Sequence, residues 1–235
     1  MIRSLFDSHA VVRRFEISGH EVWTAYMPFS KDRQIIDLCG EVLSQAELER
    51  VGSITQPEER SRFMHRRAFQ RYCAAVARAS DEPLSRLGFA RSGNGQPLLV
   101  DETGTSFSFS SCRTGMTGAW SSAGMIGIDI EDRDEIYQPV RLARKFFSAS
   151  EARLIQKADV SERRSIFLKL WVLKEAALKS IGKGMPFGMD RFQFSLMPGL
   201  RMTAAPEEYG GASRFFADFP DLGPGFTSLV LHRRG

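Results

Sequence analysis

No apolar run in this 235-residue chain approaches the roughly 18 residues that a membrane-spanning helix requires, so no transmembrane segment is expected. The opening "MIRSLFDSHAVVRRF" breaks its apolar residues with charges, unlike a secretory signal. Cysteine is scarce. Cys39, Cys73 and Cys112 are far apart and odd in number, which excludes a disulfide framework and fits a cytoplasmic setting. Four scattered histidines offer no zinc-ligand spacing. There is also no low-complexity segment, no short tandem repeat and no basic tail. The net charge of +4 and pI near 9.1 favour an anionic partner. Without Lys/Arg blocks interleaved with stacking aromatics, nucleic acid is not the expected one. An acidic protein and a phosphorylated small molecule fit the charge equally well.

What is present describes a globular protein. Hydrophobic residues make up 43% and charged residues 26%, enough to bury one large core or two small ones. A strand is predicted at "EVWTAYM". "SQAELERV" reads as a helix opened by a capping box from Ser44 to Glu47. "QPEERSRFMHRRAFQRYCAAVARAS" reads as a long helix with Pro57 near its start. Met64, Ala68, Phe69, Tyr72, Ala75, Val76 and Ala79 share its apolar face, edged by Arg60, Arg67, Arg71 and Arg78. Taken alone, those arginines are solvated side chains lying over a core helix.

A turn at "SGNGQP" separates the strand-like runs "GFARS" and "PLLV", and "SFSFSS", "MTGAWSS" and "MIGIDIE" follow. Next come "VRLARKFFS" and "SASEARLIQ", the latter with capping-box spacing from Ser148 to Glu151, and then a long helix in "SERRSIFLKLWVLKEAALKSIGKG". Strands are predicted in "RFQFSLM", "RFFADF" and "TSLVLHR". Each half thus holds one long helix followed by strands.

Two stretches carry candidate chemistry. In "MIGIDIED", Ile126, Ile128 and Ile130 alternate with Gly127, Asp129 and Glu131, the period of a half-buried strand. The two carboxylates then share a face, about 6.5 Å apart at Cα, and repel unless a cation or a proton intervenes. A solvated strand edge is the plain reading. In the second long helix, Trp171, Lys174, Glu175, Leu178 and Lys179 recur at spacings of three and four. The plain reading there is a Glu175–Lys179 surface pair worth about 0.3–0.5 kcal/mol.

Together, "GIDIE" and, some forty residues later, "W-x-x-K-E-A-x-x-K" resemble the signature of the 4′-phosphopantetheinyl transferases, in particular the larger, two-lobed class. "ARKFFSASE" between them is similar to the family's "R-F-F-S-x-x-E", and "SIGKGM" to its glycine-bounded helix end. "FSFSSC" stands where the family has "F-N-x-S-H-S", and "GQP" where it has "G-K-P". The order and intervals agree over roughly residues 57–190.

The resemblance implies an α+β fold of two similar lobes, each a long helix on a small antiparallel sheet, divided as residues 1–124 and 125–235. It implies transfer of the 4′-phosphopantetheine group of coenzyme A to a serine of an acyl or peptidyl carrier protein. Asp129, Glu131 and Glu175 would hold Mg²⁺, or Mn²⁺, beside the diphosphate. Glu175 would take the serine proton, and Lys179 would stabilise the leaving 3′,5′-ADP, with Lys174 a further phosphate contact. A chain containing both halves of its site is expected to act as a monomer.

Two positions depart from the family. Ser111 stands where a histidine usually grips the 3′-phosphate, and Gln96 where "G-K-P" has lysine. Neither brings charge, and a charge-assisted hydrogen bond is roughly twice as strong as a neutral one. Arg113, or the Arg60, Arg67 and Arg71 stripe, is the expected substitute, with Ser110 and Ser111 as neutral contacts. Two other readings compete. One is a non-catalytic coenzyme A or carrier-protein binder of the same fold. The other is a different magnesium-dependent phosphoester enzyme, which leaves Lys174, Lys179 and the flanking motifs unexplained.

Overall fold

The computed structural model describes residues 2–93, 96–100, 104–134 and 138–233. Asn94 and Gly95 of the expected turn and Glu135 lie outside them. In chain order the elements are α1 (Ile2–His9), β1 (Val11–Ile17), β2 (His20–Pro28), α2 (Arg33–Glu41), α3 (Gln45–Ser53) and α4 (Pro57–Ala77). β3 (Phe89–Arg91), β4 (Pro97–Leu99), β5 (Ser106–Ser111), β6 (Gly115–Ser121) and β7 (Met125–Glu131) follow. Next are α5 (Pro139–Phe146), α6 (Ala149–Lys157), α7 (Val160–Ser180), β8 (Gln193–Ser195), β9 (Arg201–Ala204), β10 (Phe215–Asp218) and β11 (Phe226–His232). Sequence periodicity missed α1, α2, β1 and β9, which are short or carry charges on both faces. No helix of the described residues is long and apolar enough to cross a membrane.

Both capping boxes form. Ser44 and Ser148 each accept from the backbone N–H three residues on, and Glu47 and Glu151 reach back to the cap N–H groups, satisfying donors that a helix start leaves open. α4 has its proline in the first turn. α7 ends at Gly182, whose φ of 69° is the left-handed conformation that lets the chain turn out of a helix, while Lys183 N–H returns to Leu178 O.

Two antiparallel sheets result, ordered β1-β2-β6-β5 and β10-β11-β7, with small two-stranded ribbons β3-β4 and β8-β9 beside them. One apolar core draws on residues 6–120 and packs α4 on the first sheet. A second draws on residues 143–230 around α7. A third takes Val22 and Tyr26 from one sheet and Ile126, Ile128, Ile130 and Leu229 from the other, and so joins them.

The seam between the sheets is β5 against β7. It is made by serine hydroxyls rather than by a shared backbone ladder. Ser106 Oγ accepts from Ile126 N–H at 3.0 Å, and Ser108 Oγ from Ile128 N–H at 3.1 Å. Two residues further on, Ser110 donates to Asp129 Oδ1 at 2.7 Å. The period of two in "SFSFSS" therefore places its hydroxyls on β7 and Phe107 and Phe109 toward the core beneath α4.

Candidate active site

The "other" face of "MIGIDIE" is not a solvated edge. It is laid against α7, and the correction has a simple cause: both faces of β7 are covered, the isoleucines by the joining core and the remaining positions by a helix. At Gly127 a Cβ would overlap the carbonyl oxygen of Ala176 and stand 2.7 Å from Ser180 N. Only glycine lets the helix come this close. One pleat on, Asp129 Oδ1 receives Lys179 Nζ at 2.7 Å. At the strand's end, Glu131 Oε1 accepts from Trp171 Nε1 at 3.3 Å. Positions 171, 175 and 179 of one helix stripe thus meet positions 127, 129 and 131 of one strand face.

Asp129 is only 4% exposed. Its Oδ1 is shared by Ser110 and Lys179, and Lys179 also donates to Ile128 O at 3.1 Å. Its Oδ2 is buried with no hydrogen-bond partner among the described residues, as is Oγ of Ser228, the residue directly opposite on β11. Glu175 completes the group. Burial pushes its carboxyl above the usual range and the charge of Asp129 pushes it further, with Lys179 opposing. The expected surface pair between Glu175 and Lys179 is replaced by the cross-element pair of Lys179 with Asp129.

A hard divalent cation takes oxygen ligands, and the pair of Asp129 and Glu175 fits one: an orphaned buried oxygen beside a second carboxyl that it destabilises as an anion. The three-carboxylate cluster expected from the sequence is not assembled among the described residues, which contain no group of three Asp, Glu, His or Cys suited to a metal ion. Glu131 is one pleat away and hydrogen-bonded to Trp171.

Lys179 also lines a cleft of about 540 Å³ between the two sheets' helices, with Arg67, Gln70, Gln96, Ser108 and Lys183. Its walls come from α3, α4, the β3–β4 ribbon, β5 and the end of α7, and its charged residues are Arg67, Lys179 and Lys183 with Glu47. A phosphorylated ligand is the chemistry this lining suits.

Comparison with known proteins agrees with that chemistry. The sequence profile of the 4′-phosphopantetheinyl transferase superfamily matches residues 125–220. The 4′-phosphopantetheinyl transferase Sfp of Bacillus subtilis is 30% identical over 164 residues, 66% of this chain and 72% of that protein.

The chain belongs to the 4′-phosphopantetheinyl transferase family.

A putative 4′-phosphopantetheinyl transferase of Synechocystis is 30% identical over 162 residues, 68% of this chain and 65% of its own length. HetI of Nostoc is 29% identical over 170 residues, 71% and 70% of the two chains.

For a transferase of this family, several expected phosphate contacts are committed elsewhere. Lys174 is fully buried. It pairs with Glu151 at 2.8 Å and donates to the carbonyls of Met189 and Phe192. Burial lowers its pKa, and Glu151 opposes that. The cause is helical geometry: one residue from Glu175 is a turn of about 100°, which aims Lys174 at α6 rather than at β7. Lys174 is a structural pin, not a phosphate contact. Arg71, 4% exposed, grips Glu47 with both terminal nitrogens, at 2.7 and 3.3 Å. Arg60 is spent on Ile54 O at 2.8 Å. Arg113 lies at the β5–β6 turn, where its N–H donates to Asp132 Oδ2 at 2.7 Å and its side chain is exposed.

The others remain at the site. Arg67 lines the cleft while pairing with Glu47 at 3.4 Å. Gln96 donates to Lys179 O at 2.8 Å, tying the β3–β4 ribbon to the end of α7. Ser110 holds Asp129, and Ser111 points the other way, into a smaller cleft under α4. Sequence reasoning missed Ser228, whose only signal was its register opposite Asp129.

Proposed function

We propose that this chain transfers the 4′-phosphopantetheine group of coenzyme A to a serine hydroxyl of an acyl or peptidyl carrier protein and releases 3′,5′-ADP. The observation that carries this reading is buried Asp129 with half-buried Glu175 and Lys179 beside a cleft that Lys179, Lys183 and Arg67 line. Within it, a bond forms between the carrier serine oxygen and the β-phosphorus, and the bond from that phosphorus to the bridging oxygen breaks.

Glu175 takes the serine proton. A carboxyl held above its ordinary range is a better base near neutral pH than a solvated one. Lys179, fixed by Asp129 and the Ile128 carbonyl, faces the departing bisphosphate and neutralises its charge. Asp129 and Glu175, with Glu131 at the rim, would hold Mg²⁺ or Mn²⁺, which supplies charge neutralisation at the diphosphate. β5 of the first sheet and the end of α7 line the cleft within one chain, so the active unit is a monomer, working in the cytoplasm where coenzyme A and carrier proteins meet.

The test is to incubate the chain with coenzyme A, a divalent metal and an apo carrier protein, then weigh the carrier by mass spectrometry. The carrier gains one phosphopantetheine group, and the gain disappears without metal and in Asp129→Ala or Glu175→Ala. A folded chain that binds coenzyme A yet leaves every acyl and peptidyl carrier unmodified would overturn the reading in favour of a non-catalytic binder.

A further inference from the structure

Asp132 closes the run "DIED", and neither the metal reading nor the alternation of the strand makes use of it. It is the first residue past β7 and is only 4% exposed. Both of its carboxylate oxygens are occupied. Oδ2 accepts from Arg113 N–H at 2.7 Å, and Oδ1 accepts from the Thr114 hydroxyl at 2.6 Å. Arg113 and Thr114 are the middle residues of the β5–β6 turn, which Cys112 N–H closes on Gly115 O at 2.9 Å. A buried carboxylate is tolerated only where donors meet it, and this turn brings two.

The turn is anchored at two further points. Phe29 N–H donates to Thr114 O at 3.2 Å, and Arg62 donates to Arg113 O at 3.3 Å. Those two anchors stand at the end of β2 and on α4, on the same side of the molecule as the turn itself. Asp132 is the anchor that comes from the β7 side. It therefore extends the seam between the sheets by one more rung. Ser106 and Ser108 accept from N–H groups of β7, Ser110 donates to Asp129, and the turn donates twice to Asp132. The rung that orients Asp129 thus lies between a backbone rung on one side and the Asp132 clasp on the other.

That position matters for Asp129. Its Oδ1 holds Ser110 and Lys179, which leaves the partnerless Oδ2 as the atom for a cation. A hydroxyl fixes the rotation of a carboxylate only while the strand carrying it stays in place, and such supporting bonds tune the affinity of a ligand group for its metal.

We propose that Asp132 is a positioning residue: by clasping the β5–β6 turn it keeps Ser110 on Asp129 Oδ1 and so leaves Oδ2 to the divalent ion. The inference rests on the metal part of the coenzyme A reading above. With both oxygens occupied, Asp132 is not itself a ligand; it acts through the turn and Ser110.

Calorimetric titration of the full chain with MnCl₂, in the presence of coenzyme A and without carrier, reads the ion independently of turnover. Asp132→Ala weakens Mn²⁺ binding by about 10-fold, the lower end of what loss of a supporting partner costs a metal site. Asp132→Asn keeps one acceptor oxygen and loses less. Ser110→Ala weakens binding by a similar factor to Asp132→Ala. The deciding sample is the double variant, which binds Mn²⁺ no more weakly than Ser110→Ala alone, because the two residues act along one path. Urea midpoints establish that each variant is folded, and Asp132→Asn serves where the alanine variant is not. Losses that multiply in the double variant, or unchanged Mn²⁺ affinity in a folded Asp132 variant, overturn the assignment. A wild type that binds no Mn²⁺ removes the metal reading and the role of Asp132 with it. A wild type that shows the expected coupling yet modifies no carrier refutes the transfer reading and leaves Asp132 as assigned.

Discussion

Gly127 and Ala176 are packed so closely that a single methyl group on the strand would occupy the space of the helix carbonyl. The contact sets the height of α7 above β7, and with it the distance from Lys179 to Asp129.

Gly127→Ala is therefore expected to lift the helix or tilt it about the contact. Overpacking of this kind costs about 1–3 kcal/mol, sometimes more. Chemical denaturation should show that loss, and carrier modification should fall further than stability does, because Asp129 comes from the strand side of the contact and Glu175 and Lys179 from the helix side. Wild-type activity in a folded Gly127→Ala protein would show that the site tolerates a looser helix.

Glu175→Gln should separate stability from function. Burial and Asp129 raise the Glu175 carboxyl above its ordinary value of 4.5, so the unfolded chain releases this proton first as pH rises. Stability from this group is complete below about pH 4.5. It falls as pH rises through the raised value. The amide removes that fall, and the variant should melt higher than wild type at pH 7 but not at pH 4. Its transfer rate should drop by roughly 10²-fold or more. Melting curves at both pH values, set beside single-turnover mass spectrometry, check the pair of outcomes.

Lys174→Met tests a residue whose motif suggests catalysis and whose surroundings say otherwise. Removing one member of a buried ion pair strands the other, at a cost of about 3–5 kcal/mol, here leaving buried Glu151 without the ammonium that also lies over the Phe147 ring. The expected result is a lower denaturation midpoint with an unchanged KM for coenzyme A in the fraction that folds. A raised KM at full stability would return Lys174 to the phosphates.

Glu47 gives the acid side of the stability profile. Burial pushes its carboxyl up, but the hydrogen bond from Arg71, the Ser44 N–H and the charges of Arg71 and Arg67 overcome this and hold it below 4.5. The stabilisation is present above that value and is lost as pH falls through the depressed one. Glu47→Gln should cost about 3 kcal/mol at neutral pH, and the difference from wild type should shrink on acidification. Urea midpoints between pH 3 and 7 measure it.

The candidate site was partly legible in the sequence because its chemistry is concentrated in two local patterns. A strand of period two delivered Asp129 and Glu131, and a helix stripe of period 3.6 delivered Trp171, Glu175 and Lys179. Both capping boxes and the glycine end of α7 were equally local. Lys174 was misassigned because adjacent motif residues point about 100° apart on a helix, and the motif does not say which direction holds the ligand. Arg71 was misassigned because its partner, Glu47, lies 24 residues away on another helix.

The sequence by itself determined the two long helices and most of the strands, the acid and basic groups available and the family to which they belong, since each depends on spacing within a short segment. Tertiary structure decided which charges are spent and which are left over. It turned the strand's polar face onto α7, drew Lys179 to Asp129 and bound Arg71 to Glu47. The physical reason is that a charge in a folded chain is neutralised by whatever packing brings within a few ångströms, and that distance is set by contacts between segments far apart in the chain.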